Sequence, residues 1–185
     1  MGKSYSVFYL LIDVEGRDAV DGGGKQFEEH IETLISEYMR QKFDQYCTKP
    51  YIVRQPNIKV GSSTKRADLV VWVKNQNGDW MALLIECKNY EGTYIGEKTI
   101  NQIVTYKDNL KACDGSNVKT VVPMLCCRTT TKYSSTTTKR LSDYNISKFT
   151  FSRDSFVNGA STSLNNEEEA FCDELFEQIL QHFQN

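Results

Sequence analysis

The sequence predicts one α/β domain with a mixed β-sheet, helices on both sides and a β-hairpin near its centre. Three observations predict it. The runs Leu69 to Val73 and Trp80 to Cys87 are apolar on both faces, as strands covered from both sides are. The pair Asn77-Gly78 between them is a strong hairpin signal. Segments of helical periodicity lie before and after that hairpin. The 185 residues suit a single domain, with its core over about 22–127 and a C-terminal strand and helix over about 148–185.

The elements follow in chain order. Tyr5 to Val14 reads as a strand, and Gly16 to Gly24, with four glycines, as a loop. Gln26 to Tyr46 is helical, since Phe27, Ile31, Leu34, Ile35, Tyr38 and Met39 share a face. Tyr51 to Val60 is an edge or bulged strand because Pro56 interrupts it, and Gly61 to Lys65 is a polar turn. After the hairpin, Glu97 to Lys111 is a helix buried along Ile100, Ile103, Val104 and Leu110. Val118 to Cys127 is another apolar strand. The Thr- and Ser-rich run Arg128 to Arg140 reads as a long exposed loop, and Lys148 to Phe156 as a short strand. Asn165 starts a last helix, with Glu167, Glu168 and Glu169 at its positive end and Phe171, Leu175, Ile179, Leu180 and Phe183 as its stripe.

Composition narrows the class. Hydrophobic residues at 39% and charged residues at 25% exclude wholesale disorder. The six cysteines form no C-x-x-C pair, which points to reduced thiols rather than a disulfide scaffold. No run is long enough for a membrane span, so a soluble intracellular protein is expected, cytoplasmic or, in a eukaryotic or viral setting, nuclear. The net charge of −2 argues against a simple nucleic-acid coat. Its distribution is uneven: residues 49–160 hold 17 basic and 9 acidic residues, whereas 161–185 hold 6 acidic and no basic ones. A basic middle between acidic ends is compatible with one polyanion-binding face, and equally with solvated helix faces and ordinary loops.

The chemically informative residues are Asp68 and the run Glu86-Cys87-Lys88. Glu86 and Lys88 are two apart on a strand and leave the same face, whereas Cys87 points into the packing. A three- or five-residue loop around Asn77-Gly78 pairs positions whose numbers sum to 154, setting Asp68 opposite Glu86. A two-residue turn would spoil that pairing, so the longer loop is expected. Two carboxylates and an ammonium then share one patch. Such a carboxylate pair is costly without a cation between its members, and its hard oxygens suit Mg²⁺ or Mn²⁺. Lys88 beside the metal would position or help deprotonate a water.

Asp68, the gap across the hairpin and Glu86-x-Lys88 at a strand end resemble the PD-(D/E)xK nuclease superfamily. That is the restriction-endonuclease-like α/β/α fold of many restriction enzymes, Holliday-junction resolvases and Mrr-like enzymes. Ala67 stands where the superfamily usually has Pro. Phe27-Glu28 after a Gly-rich turn and Gln102 after the E-x-K strand match further features. The resemblance, over about residues 22–127, implies that Asp68, Glu86 and the backbone carbonyl of Cys87 bind the metal and that Lys88 is catalytic. It implies that Glu28 reaches the metal directly or through water, and that Gln102 touches the water or the nucleic-acid backbone.

Each residue has an ordinary reading too. Asp68 alone could cap a turn, Glu86 and Lys88 could be a structural ion pair, and Gln102 a plain helix residue. His30 and His182 read as packing histidines with no zinc spacing. Lys65 and Arg66 before Asp68, and Lys132, Lys139 and Arg140 in the Thr/Ser run, are candidate phosphate contacts, against charged turns or a mobile loop.

The sequence therefore predicts a metal-dependent nuclease hydrolysing phosphodiester bonds, acting on double-stranded DNA as an endonuclease with Mg²⁺ or Mn²⁺. One metal with Lys88, or two metals, would activate the water. A homodimer, or a partner protein supplying target choice, is compatible with the small size. Two alternatives stand beside it. One is a non-catalytic nucleic-acid-binding or interaction module of the same fold. The other is an RNA endonuclease of the cap-snatching kind, with His30 near Glu28 as a potential ligand. Asp13-Val14-Glu15 resembles the first motif of DnaQ-like exonucleases, but the later motifs of that family are not found.

Overall fold

Along the central hairpin, successive side chains leave opposite faces of the sheet, and this divides the interior in two. Leu69, Val71, Val73, Met81, Leu83 and Ile85 join one core, and Val70, Trp72, Ala82 and Leu84 join the other. The computed structural model describes residues 22–43, 50–89, 94–152 and 164–184. The predicted strand Tyr5 to Val14, Asp13 and Glu15 with it, and the ends of several predicted elements lie outside the described residues.

The described chain runs α1 (Gly22–Phe43), β1 (Tyr51–Arg54), β2 (Asn57–Val60), β3 (Ser63–Arg66), β4 (Leu69–Lys74), β5 (Trp80–Lys88) and β6 (Tyr94–Ile95). It continues through α2 (Glu97–Asn109), β7 (Thr120–Arg128), β8 (Lys132–Tyr133), α3 (Ser135–Asp143), β9 (Ser147–Phe151) and α4 (Asn166–Gln184). The main sheet has the order β1-β4-β5-β7-β9. Its β1–β4 and β4–β5 pairs are antiparallel, and its β5–β7 and β7–β9 pairs are parallel. Helices α1 and α4 cover one face through Phe27, Ile31, Ile35, Phe171 and Leu175. Helices α2 and α3 cover the other through Ile100, Ile103 and Leu141. This is the α/β architecture with a central mixed sheet flanked by helices that the sequence predicts.

The hairpin register is as expected. Lys74 faces Trp80 and Leu69 faces Ile85, which leaves a five-residue loop. Gly78 N–H donates to Asn75 O at 3.0 Å, and the Asn75 side chain accepts from Asp79 N–H at 2.9 Å, closing the turn. Gly78 has φ 85°, a conformation that favours glycine.

Four expectations need correction. Gly22 to Gly24 belong to α1 rather than to the preceding loop, because N–H groups in a first turn have no helical partner to lose. The predicted strand Tyr51 to Val60 is two strands, broken where Gln55 takes φ 51° ahead of Pro56. The predicted turn Gly61 to Lys65 is mostly strand: β3 pairs with β2, with Asn57 facing Arg66, and only the tip at Gly61, with φ 58°, turns.

The fourth is the Thr/Ser run, which is largely folded. Ser134 caps α3 by accepting from Thr137 N–H at 3.0 Å, and the buried Thr137 hydroxyl donates to Ile95 O at 3.1 Å. Hydroxyls read as solvent-seeking are spent on a cap and a packing contact. The acids opening α4 also do more than favour a helix dipole. Glu168 is buried, and its Oε2 accepts from Asn165 N–H at 2.9 Å.

Candidate active site

Asp68 immediately precedes β4, and Glu86 and Lys88 end β5, so the hairpin register itself brings them together. Asp68 Oδ2 accepts the backbone N–H of Cys87 at 2.7 Å. Lys88 Nζ lies 2.5 Å from Glu86 Oε1 and 3.6 Å from Asp68 Oδ2. The ammonium thus stands against both carboxylates. Cys87 turns its side chain to the other face, where its buried thiol is held well above its ordinary pKa.

Two further side chains reach this corner from opposite layers. From α2, Gln102 Nε2 donates to Glu86 Oε1 at 2.6 Å and lies 3.2 Å from the Tyr106 hydroxyl. From α1, the half-buried Glu28 receives Gln55 Nε2 at 3.3 Å on its Oε2. Burial, and then the charge of Asp68, raise the Glu28 pKa. Asp68, Glu86, Lys88, Gln102 and Glu28 therefore gather where the strand ends meet the two helical layers.

The electrostatics are dominated by desolvation. Glu86 is 1% exposed, and burial, followed by repulsion from Asp68, pushes its carboxyl up to about 7. Lys88 opposes that shift without cancelling it. Glu86 Oε1 has two donors, whereas the buried Oε2 has no hydrogen-bond partner. An orphaned buried carboxylate oxygen is costly unless something positive completes it. A hard divalent cation fits this donor set: Glu86, Asp68 beside it, and oxygens from backbone or water. Among the described residues, no three Asp, Glu, His or Cys side chains form a ready metal cluster. Glu28 therefore stands near the pair without completing a three-carboxylate cage.

The remaining candidates separate. Lys65 and Arg66 lie on β3, exposed, next to Asp68 in sequence. Lys132 Nζ sits 5.9 Å from the Tyr94 ring centroid, and Lys139 is exposed on α3. Arg140 is engaged within the fold: it donates to Asn101 Oδ1 at 2.7 Å and lies 3.5 Å from Glu97, fastening α3 to α2. His30 leaves the site too. Its Nε2 is 2.9 Å from Glu168 Oε1, so it joins α1 to α4 rather than supplying a ligand beside Glu28. His182 is buried, with Nε2 3.2 Å from Asp79 O, as a packing histidine.

Sequence reasoning missed Gln55 and Tyr106. Gln55 supports both sides of the site, its side chain on Glu28 and its N–H on Asp68 O at 2.8 Å. Its one signal was its place before Pro56. Tyr106 follows Gln102 by four on α2, the spacing that brings helical side chains together.

A cleft of about 740 Å³ opens elsewhere, between β2 and the end of α2, lined by Ile58, Lys59, Trp72, Leu110 and Lys111 among others. Asp68, Glu86 and Lys88 do not line it. No helix among the described residues is long and apolar enough to cross a membrane.

Comparison with known proteins gives three kinds of match. Residues 35–117 match the family described as type I restriction enzyme R protein N terminus. Among solved structures, a repair endonuclease from Pyrococcus abyssi is 18% identical at a TM-score of 0.37, over 65% of this chain and 46% of that one. The MspJI restriction endonuclease, in complex with a 27-mer oligonucleotide, is 10% identical at a TM-score of 0.38, over 80% of this chain and 32% of that one. Among curated proteins, an L-amino-acid oxidase of the snake Echis ocellatus is 30% identical over 87 residues, 47% of this chain and 16% of the oxidase. The chain spans about a fifth or less of the length of the curated relatives it matches.

Proposed function

We propose that this chain is a metal-dependent nuclease that hydrolyses phosphodiester bonds in double-stranded DNA. One observation carries the reading. The buried Glu86 carboxylate, with Oε2 unpartnered, meets Asp68 and Lys88 at the end of paired strands. A structural ion pair would satisfy its acceptors, and this one leaves an acceptor over. The match to the N-terminal part of type I restriction R proteins agrees with that reading.

Asp68 and Glu86 would hold Mg²⁺ or Mn²⁺, with the Cys87 carbonyl and water as further oxygens and Glu28 in reach through water. When bound, the cation supplies Lewis-acid stabilisation of the phosphoryl oxygens and a water of lowered pKa. Lys88, which stands against both carboxylates, would orient a water at the site and offset charge on the phosphoryl oxygens. Gln102 holds Glu86 in its rotamer from α2, and Gln55 does the same for Glu28. The snake oxidases share too little of their length to guide a reading of this site.

The test is direct. The protein is incubated with supercoiled, linear and single-stranded DNA and with RNA, in Mg²⁺, Mn²⁺ or EDTA, beside Asp68→Ala and Lys88→Ala. Metal-dependent cleavage of duplex DNA, lost in both variants, is expected. No cleavage by the wild type, or cleavage unchanged in both variants, overturns the assignment. Salt-sensitive binding without cleavage would leave the non-catalytic module, in which Lys88 is the permanent counter-ion of Glu86 and Gln102 its hydrogen-bond donor.

A further inference from the structure

Strands β2 and β3 form a two-stranded ribbon set apart from the main sheet. It leaves the β1–β4 ladder just beyond the Arg54–Leu69 pair. Its base is closed by Gln55 N–H donating to Asp68 O at 2.8 Å, so its root is the candidate active site itself. The departure is fixed by Gln55 at φ 51° and by the buried Pro56.

The two faces of the ribbon differ. Cross-strand partners share a face, and so do residues two apart. Ile58, 2% exposed, packs into the α2-side core with Val60 against it, which makes the ribbon a braced arm. The opposite face carries Asn57, Lys59, Thr64 and Arg66, all exposed. Residues 57–66 contain no acid. Several cations elsewhere on the described surface are paired: Arg54 with Glu29 at 2.8 Å, Lys119 with Asp79 at 2.9 Å, Arg140 with Glu97 at 3.5 Å. Among the described residues, Lys59, Lys65 and Arg66 have no acidic partner. Folding has thus left three cations without counter-ions on one projection that starts at Asp68.

We infer that this ribbon is a duplex-engaging arm whose outer face enters the major groove of double-stranded DNA while its root holds a phosphodiester at Asp68. The inference rests on the nuclease reading for what happens at the root, but not for binding. Four residues per strand reach about 14 Å, and the B-form major groove, about 12 Å wide, admits a two-stranded ribbon. Arg66 and Asn57 are side chains of the kind that read base edges bidentately, Thr64 has a methyl for thymine, and Lys59 and Lys65 have the charge for flanking phosphates. A-form RNA, whose major groove is deep and narrow, would not accept the arm.

Binding is measured by fluorescence anisotropy in EDTA, so that no cleavage occurs, with a labelled duplex DNA, the same sequence as duplex RNA, and one DNA strand. The variants are Lys59→Ala/Arg66→Ala and, beside the hairpin turn at the far end of β5, Lys119→Ala. Their side chains are exposed, and thermal melts confirm folding. The duplex DNA is expected to bind tightest. The double variant is expected to weaken it about tenfold or more and, through the phosphate contact of Lys59, to reduce the slope of log K against log salt by about 1. Lys119→Ala should change little. Absent binding, equal binding of duplex RNA, or wild-type affinity in the double variant overturns the assignment. Cleavage in Mg²⁺ with binding indifferent to the ribbon would sink the arm and keep the nuclease. Ribbon-dependent binding without cleavage would do the reverse.

Discussion

Asp68 Oδ2 accepts the Cys87 backbone N–H at 2.7 Å, so the carboxylate at the head of β4 is pinned to the strand that carries Glu86 and Lys88. The same atom is 3.6 Å from Lys88 Nζ. Asp68 therefore does two separable things: it ties the strand ends together and it supplies negative charge. Asp68→Ala removes both and leaves the N–H unpaired, which costs about 1–3 kcal/mol. Asp68→Asn keeps an acceptor and loses the charge. Urea denaturation should place the Asn variant within about 1 kcal/mol of wild type and the Ala variant below it. Cleavage should be lost in both. Equal destabilisation of the two would mean that the hydrogen bond is not what anchors the corner.

Glu86 sets a pH dependence of stability. Its carboxyl is raised from 4.5 to about 7, so between those values the folded chain binds more protons than the unfolded one. Its favourable contribution is complete below about pH 4.5 and is lost as pH rises through about 7. Glu86→Gln keeps a neutral acceptor for Lys88 and Gln102 and does not titrate. The variant should melt above wild type at pH 8, by on the order of 3 kcal/mol in stability, and the gap should close toward pH 5. Thermal melts of both proteins across that range check this. A gap that ignored pH would place the origin elsewhere.

On the proposed function, Lys88 and a divalent cation would compete for the same two carboxylates. In EDTA, Lys88→Ala leaves Asp68 and Glu86 facing each other without their ammonium and should lower the thermal midpoint. Added Mn²⁺ should raise the midpoint of Lys88→Ala more than that of wild type, because no ammonium has to be displaced. Saturation at about 100 times Kd corresponds to about 2.7 kcal/mol. Asp68→Ala and Glu86→Gln should respond least. Scanning calorimetry over a Mn²⁺ series reads all four proteins, and an equal response in all would remove the metal from this corner.

The site was legible where backbone geometry alone decides it. Two apolar runs and Asn77-Gly78 fix the register, and the register sets Asp68 beside Glu86 and Lys88 without any knowledge of packing. Gln102 was named from the family resemblance, and α2 brings its side chain to Glu86. What escaped depends on tertiary context. Gln55 earns its role from a positive φ that no propensity announces. Arg140, read as a phosphate contact, and His30, read as a potential metal ligand, instead meet Glu97 and Glu168, residues distant in sequence. The stretch after Arg128 was misread for a different reason. Its hydroxyls resemble a solvated loop in composition, yet Ser134, Thr137 and Leu141 have the order of a cap, an inner turn and a buried stripe.

Helix α3 ends as deliberately as it starts, and its end is testable. Asn145 N–H donates to Ser142 O at 3.0 Å and Ile146 N–H to Leu141 O at 2.8 Å, the paired bonds of a Schellman motif. Asn145 takes φ 52°, and Leu141 and Ile146 are both buried in the α2-side core. Asparagine tolerates that left-handed conformation, glycine adopts it freely, and a β-branched residue does not. Asn145→Gly should therefore be neutral or stabilising by up to about 1 kcal/mol. Asn145→Val should cost about 1–2 kcal/mol through strain, without touching any group of the candidate site. Denaturant melts give both values. Cleavage by the Val variant at a temperature where it remains folded should equal that of wild type, since α3 reaches the sheet through Leu141 rather than through Asp68 or Glu86. Destabilisation by both substitutions alike would show that the Asn145 side chain, and not its backbone conformation, holds the end of the helix.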